Sequence, residues 1–156
     1  MFGFIKKEKQ LTAPASGVVI GIAKVPDEVF SKKILGDGFA VIPNDGSICS
    51  PANGVLTEIA ETKHAYCITA DDGLEILVHI GIDTVELKGS GFKPLAAVGD
   101  RLQNGTPLAA VDLDIIKGAG LPTEVVTVIT NTDKLKSYEV LETSYANAGD
   151  RAFIYK

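Results

Sequence analysis

No stretch of this chain runs far without a turn-former. Glycine accounts for 16 of its 156 residues and proline for 7. They gather in "ASG", "VPDE", "GDG", "PNDG", "PANG", "DDG", "GSG", "VGD", "NGT" and "GAG". Each such cluster favours a turn or demands a left-handed backbone. What remains between them is short and rich in Val, Ile and Thr: "GVVIGI", "FAVIP", "GVLTEIA", "CITA", "LEILVHIGIDTV", "PLAAVDL", "TEVVTVIT", "YEVLE" and "AFIYK". Segments of that length and composition are strands. Many of them in succession close into a sandwich or a barrel. Helical signals are confined to "DEVFSKKIL", about two turns between Pro26 and Gly36, and "DLDIIKGAG", one turn ending at Gly118. "PASGVV" from Pro14 and "PANGVL" from Pro51 echo one another, as do the G-D-R triplets of "VGDRLQNGTPL" and "AGDRAFIYK". The echoes suit a pseudo-symmetric, barrel-like sandwich. Asp37 in "GDG" reads as turn chemistry.

The length suits one domain, expected over residues 12–156 behind a flexible N-terminal arm, residues 1–11. A net charge of −5 leaves no basic excess to neutralise phosphates, which speaks against nucleic acid as the partner. No apolar run is long enough to span a bilayer, and no secretory pattern opens the chain. Cys49 and Cys67 form neither a C-x-x-C pair nor a disulfide framework, as in a cytoplasmic protein. The opening "MFGFIKKEKQ" couples Phe2, Phe4 and Ile5 to Lys6, Lys7 and Lys9; it reads as a frayed terminal arm, with weak contact with an anionic membrane surface at most.

One strand carries chemistry. In "LEILVHIGI" the residues Leu74, Ile76, Val78, Ile80 and Ile82 alternate on one face. Glu75, Leu77, His79, Gly81 and Asp83 take the other. His79 therefore leaves the apolar face, with Leu77 on one side and open space over Gly81 on the other. The other histidine, His64 in "ETKHAYCITA", precedes it across the "DDG" turn signal. A hairpin loop of two or four residues sets both imidazoles on one face. A loop of three ending in Gly73 sets them on opposite faces unless a bulge restores parity.

Two histidines under-supply a zinc site, which takes three protein ligands for catalysis and four for structure. No G-x-S-x-G elbow and no P-loop is present. The remaining chemistry is nucleophilic. A neutral imidazole attacks phosphorus and passes the phosphoryl group on, while a second imidazole donates a hydrogen bond to a phosphoryl oxygen. A hydroxyl can fix that second ring's tautomer, and Thr62, read as strand, lies on the same face as His64.

"GLEILVHIGIDTVELKGSGF" resembles the active-site signature of the glucose-type enzyme IIA family of the bacterial phosphoenolpyruvate:sugar phosphotransferase system. The matching positions are Gly73, His79, Gly81, Asp83, Thr84, Gly91 and Phe92. The likeness extends through "APASGVV", "VPDEVFSKKILGDGFAVIP", "SPANGVL", "TKHA" and "GDRLQNGTPLAAVDLD". It implies an all-β fold, an antiparallel β-sandwich or barrel-sandwich hybrid with short helical turns. It implies that His79 is phosphorylated by the histidine-containing phosphocarrier protein HPr and passes the group to a cysteine on the IIB domain of a membrane sugar permease. His64 would stabilise the phosphohistidine and Thr62 would orient His64. The partner-binding face would include Asp27, Val29, Phe30, Ile34, Leu35, Leu77, Asp83, Val85 and Glu86. Phe30, Ile34 and Leu35 also fit the core of a short helix, and Asp83 a turn cap. No cofactor is required, but in one complex of the family a zinc ion is shared through the histidine pair. Regulatory targets, a monomeric state and a cytoplasmic location follow from the same likeness. Where some relatives carry Phe beside the histidines, this chain has Ala60 and Leu77.

Two other classes fit less well. A zinc metallopeptidase on a related sandwich needs an H-x-H pair, and position 81 is Gly. A biotinyl- or lipoyl-type carrier needs a Met-Lys hairpin, and the only Met is Met1.

Overall fold

The computed structural model describes residues 8–156. Strands and turns alternate as the glycines and prolines dictate. The first half holds β1 (Lys9–Thr12), β2 (Gly17–Gly21), α1 (Glu28–Ser31), β3 (Asp37–Pro43), β4 (Ser47–Cys49), β5 (Gly54–Ile59), β6 (Ala65–Ala70) and β7 (Glu75–Ile80). The second holds β8 (Phe92–Pro94), β9 (Arg101–Leu102), β10 (Pro107–Val111), α2 (Leu113–Gly118), β11 (Val125–Ile129), β12 (Tyr138–Val140), β13 (Thr143–Ala146) and β14 (Arg151–Tyr155). The large sheet runs β13-β2-β3-β11-β7-β6-β5-β9, and two three-stranded sheets run β1-β14-β12 and β4-β10-β8. Pairing within the large sheet is antiparallel throughout. The sheets are open, so the architecture is the sandwich and not a closed barrel.

The sequence echoes are structural. Gly17 opens β2 and Gly54 opens β5. A Cβ at either would lie 1.9 Å from the Ile42 carbonyl oxygen or 2.2 Å from that of Thr69, so neither position admits a side chain. Thr12 N–H donates to the Pro51 carbonyl (2.9 Å), and Cys49 N–H donates to the Pro14 carbonyl (2.8 Å). These two bonds exchange under the relation that carries Pro14 onto Pro51. The G-D-R turns match as well: the Asp100 and Asp150 carboxylates accept from the N–H groups of Ala97 and Asn147, each at 2.8 Å.

Two clusters divide the apolar side chains. The main core lies between the sheets and includes Leu11, Phe39, Leu56, Tyr66, Ile76, Val78, Ile80, Leu108 and Phe153. A smaller one, Ile22, Val25, Phe30, Ala40, Ile82, Val126 and Val128, lies on the opposite face of the central strands. The segment from Ile22 through α1 covers it. That is why "VVTVI" of β11 is buried at every residue: it has core on both faces.

Two expectations change, and a third falls outside the described residues. The arm does not reach residue 11, because Lys9, Gln10 and Leu11 pair with Tyr155, Ile154 and Phe153 of β14, and Leu11 is fully buried. The apolar and basic residues before Glu8, on which membrane contact was read, lie outside the described residues. The helix of "DEVFSKKIL" is a single turn. Asp27 caps it by accepting from Val29 N–H (2.8 Å), and Lys33 takes a left-handed backbone (φ 58°) that turns the chain back toward β3.

Candidate functional site

His79 stands on β7 in the middle of the large sheet. Its neighbours along the rung are Ala65 on β6 and Val126 on β11, and Val126 pairs in turn with Ala40 on β3. The alternation holds. Ile76, Val78 and Ile80 are buried in the main core, while Leu77 and His79 are half-buried on the other face. That face is not open. Leu77 packs against the small cluster, and the ring of Phe30 meets His79 edge-on with centroids 5.1 Å apart. Phe30 is 4 % exposed, so it is a wall of the site and not part of an exposed docking face.

Gly81 does more than leave space. Its φ of 75° starts the turn out of β7, and a Cβ there would lie 2.5 Å from the Thr84 methyl carbon. Its N–H donates to the Glu124 carbonyl (2.9 Å) and the Ile82 N–H to the Pro122 carbonyl (3.0 Å), which fixes the peptide. The Gly81 carbonyl then lies 2.8 Å from His79 Nδ1. A carbonyl oxygen only accepts, so Nδ1 carries the proton and Nε2 keeps the lone pair. Glycine is required here because no other residue combines this backbone with this packing.

The hairpin between β6 and β7 has the three-residue loop Asp71–Gly73. Ala70 N–H bonds the Leu74 carbonyl, Ala65 faces His79, and Gly73 has φ 92°. By strand parity alone that loop sends His64 to the core face. Yet the two imidazoles lie 4.9 Å apart, centroid to centroid, at 82°. No bulge in the hairpin restores parity. Instead β6 ends at Ala65, Lys63 is left-handed (φ 63°), and Lys63 N–H closes a turn onto the Ala60 carbonyl (2.8 Å). His64 has left the alternation and swings onto the side of His79. Thr62 lies in the same turn and not in a strand. Its Oγ1 lies 2.7 Å from His64 Nδ1.

Burial lowers the pKa of both histidines below the ordinary imidazole value. For His64 burial alone does this. For His79 burial also dominates and the nearby His64 adds to it, while the Gly81 carbonyl, Asp27 and Asp83 oppose it. Both rings are therefore neutral at neutral pH. A neutral, half-buried, tautomerically fixed imidazole is a nucleophile at Nε2, and the second ring can donate a hydrogen bond to what that nucleophile carries.

The remaining expected residues surround this pair. Val29, Ile34, Leu35 and Val85 are solvent-facing apolar side chains, 41 %, 65 %, 42 % and 52 % exposed; Val29 adjoins Phe30, whose ring meets His79, and Val85 lies six residues beyond His79. Asp83 and Glu86 are exposed beside them. Asp83 has a left-handed backbone (φ 59°) and its side chain caps nothing, so its carboxylate remains available. Sequence reasoning missed two contributions, the Gly81 carbonyl and the Phe30 edge. The H-x-G spacing carries a signal for the first; nothing local marks the second. Among the described residues no group of three or more His, Cys, Asp or Glu could hold a metal ion, and no helix is long and apolar enough to cross a membrane.

Comparison with known proteins gives concordant findings. The family model for the phosphoenolpyruvate-dependent sugar phosphotransferase system, EIIA 1, matches residues 9–135. The glucose-specific EIIA component of Buchnera aphidicola subsp. Baizongia pistaciae is 45 % identical over 124 residues, covering 80 % of this chain and 74 % of that one. That of Staphylococcus aureus strain Mu50 is 37 % identical over 150 residues, covering 96 % and 90 %. The glucose-specific EIICBA component of Streptococcus pneumoniae is 44 % identical over 135 residues, but this chain spans 19 % of its length. Glucose permease IIA from Mycoplasma capricolum superposes with a TM-score of 0.87 at 35 % identity, covering 97 % of both chains.

Proposed function

The chain belongs to the EIIA 1 family of the phosphoenolpyruvate-dependent sugar phosphotransferase system, and we propose that His79 is the residue through which it relays phosphate. The observation that carries the assignment is the pairing of a fixed His79 tautomer with a second ring 4.9 Å away.

The chemistry follows from the geometry. The Nε2 lone pair of His79 attacks the phosphorus of the phosphohistidine on HPr. The P–N bond to the donor breaks, and its electron pair returns to the donor nitrogen. Phospho-His79 carries positive charge on its ring, and its Nδ1–H donates more strongly to the Gly81 carbonyl. His64 donates from Nε2–H to a phosphoryl oxygen, with its Nδ1 accepting from the Thr62 hydroxyl. A cysteine thiolate of a IIB domain then attacks phosphorus, and the pair returns to His79 Nε2. Phe30 and Leu77 keep water from the ring. Val29, Ile34, Leu35 and Val85 supply an apolar docking face with acidic points at Asp27, Asp83 and Glu86, suited to a basic partner.

On this reading residues 12–156 form one EIIA type-1 domain that acts as a monomer in the cytoplasm. Sugar choice lies with the membrane permease, and the relatives' names make a glucose-type permease the first to test. State-dependent regulatory partners would use the same face. The relay requires no cofactor. A zinc ion shared at a partner interface would use the two Nε2 atoms, and the partner would have to supply the remaining ligands.

The test is labelling with phosphoenolpyruvate, enzyme I and HPr. One acid-labile phosphate per chain is expected, and His79→Gln should carry none. Full labelling of the His79→Gln protein would remove His79 from its role.

A further inference from the structure

The turn that carries Ile34 and Leu35 is tied down at a point remote from the histidines. Lys33 and Asp37 bracket it in sequence. Their side chains meet across it, Lys33 Nζ lying 3.1 Å from Asp37 Oδ2. Asp37 is the first residue of β3 and only 8 % exposed, an unusual place for a carboxylate. Its two oxygens are fully used. Oδ1 accepts from Gly38 N–H (2.8 Å), and Oδ2 accepts from the Tyr138 hydroxyl (2.6 Å) as well as facing Lys33. Tyr138 lies 101 residues further along, on β12, with its ring stacked on core Phe153 at 5.4 Å. Burial by itself would raise the Asp37 carboxyl. The Tyr138 hydroxyl, the Gly38 N–H and Lys33 together hold it below the usual carboxylate range. Gly36 completes the anchorage. Its backbone sits so close to β11 that a Cβ would lie 2.1 Å from the Ile129 carbonyl oxygen.

At its other end the turn is joined to the site. Ile34 N–H donates to the Val29 carbonyl (3.1 Å), and Phe30 in α1 touches His79. The Asp37 rung is three residues along β3 from the Ala40–Val126–His79 rung, about 10 Å at strand spacing.

We propose that Asp37, held by Tyr138 and Lys33, is a positioning residue for the docking step of phosphoryl transfer. It keeps the 32–36 turn in the conformation that presents Ile34 and Leu35 to the phosphocarrier. The inference rests on the docking face proposed above. Its physical content is preorganisation. A turn already ordered by a buried carboxylate does not lose that freedom when a partner seats on it. The clamp joins the turn to β12, so the presentation of the docking face depends on the C-terminal part of the chain.

Steady-state transfer from phospho-HPr to the full chain tests this with three variants. Tyr138→Phe keeps the stacked ring and removes only the hydroxyl. Asp37→Asn removes the charge. Ile34→Ala removes a docking side chain directly. We expect Tyr138→Phe and Asp37→Asn each to raise KM for HPr by about five-fold with kcat within two-fold. Amide exchange at Ile34, Leu35 and Gly36 should speed up while that at Val78 does not change. If Asp37→Asn fails to fold, Lys33→Met at the solvent-facing end of the clamp replaces it. Unchanged KM in the clamp variants, with a raised KM in Ile34→Ala, overturns the clamp and leaves the docking face standing. Unchanged KM in all three overturns the docking face and the clamp with it. A fall in kcat at constant KM in the clamp variants also overturns the proposal, because it places their effect in the chemistry.

Discussion

Two neighbouring rungs of the large sheet use the same strands for opposite ends. One runs Phe39, Thr127, Val78, Tyr66 and faces the main core. The next runs Ala40, Val126, His79, Ala65 and faces the site. The core rung is bulky and fully buried, and it is careless with polarity: the Tyr66 hydroxyl and Thr127 Oγ1 are buried without a hydrogen-bond partner. The site rung is built from small residues around one imidazole, whose Nδ1 is held by the Gly81 carbonyl. Burial acts on both faces. On the core face it pushes the Tyr66 hydroxyl up to about 12, a shift nothing exploits. On the site face it holds His79 below the ordinary imidazole value, which the proposed relay needs. The difference teaches that a fold can tolerate an unpaired hydroxyl where volume matters and cannot tolerate a loose ring where chemistry happens.

The contrast breaks most completely at adjacent positions. His79→Gln should abolish phosphorylation with the midpoint of thermal unfolding nearly unchanged. Val78→Ala should cost about 2–3 kcal/mol of stability with labelling retained. Denaturant titration and labelling of both proteins decide this, and matching phenotypes would erase the distinction between the faces. Gly81→Ala should damage both properties. It strains a left-handed backbone against Thr84, costs about 1–3 kcal/mol, and turns the carbonyl away from Nδ1, so that labelling slows at least ten-fold. Wild-type labelling kinetics with unfolding alone affected would remove the carbonyl from the mechanism.

Smaller effects refine the site face. Thr62→Val should leave uptake of phosphate intact and slow transfer to the IIB cysteine by about ten-fold, since His64 loses the partner that fixes its tautomer. A single-turnover chase from phosphorylated protein measures this. Equal slowing of uptake would move Thr62 to the first transfer. The histidines also set a pH dependence. Their folded pKa values are lowered, so as pH falls through the free-imidazole value of about 6.5 the unfolded chain takes up protons first and the fold loses stability. Labelling should hold its plateau through that region and decline only below it. A midpoint at or above the free value would contradict neutral, desolvated rings. The smallest effect belongs to the core face. Thr127→Val removes an unpaired buried hydroxyl at constant shape and should leave stability unchanged or raise it by about 1 kcal/mol, with normal labelling.

Much of this was legible before any coordinates. Glycine and proline spacing gave the short strands. Period-two alternation placed Val78 inward and His79 outward, and the resemblance pointed to His64 as its companion. What failed was local. Parity read through the Asp71–Gly73 loop assigns His64 to the wrong face, because the rule holds only while a residue stays in the strand, and the left-handed Lys63 ends it one residue too soon. Lysine in that conformation announces nothing in a sequence. For Phe30 the sequence leaves both a docking face and the core of a short helix open. Its burial comes from the sheet beneath, which no window around Phe30 contains. Asp37 was read as turn chemistry because its principal partner, Tyr138, is 101 residues away.

One pairing described above bears on how such a chain is wired into larger proteins. β1 lies beside β14, with Lys9 opposite Tyr155, and the Tyr155 hydroxyl bonds Asp72 in the loop before β7. The two described ends of the chain therefore emerge together at the loop end of the hairpin. His79 lies seven residues beyond Asp72, about 20 Å along the strand. At both described ends the backbone therefore sits at the pole away from the histidines. A linker joined at either described end would not have to cross the face that carries His64 and His79.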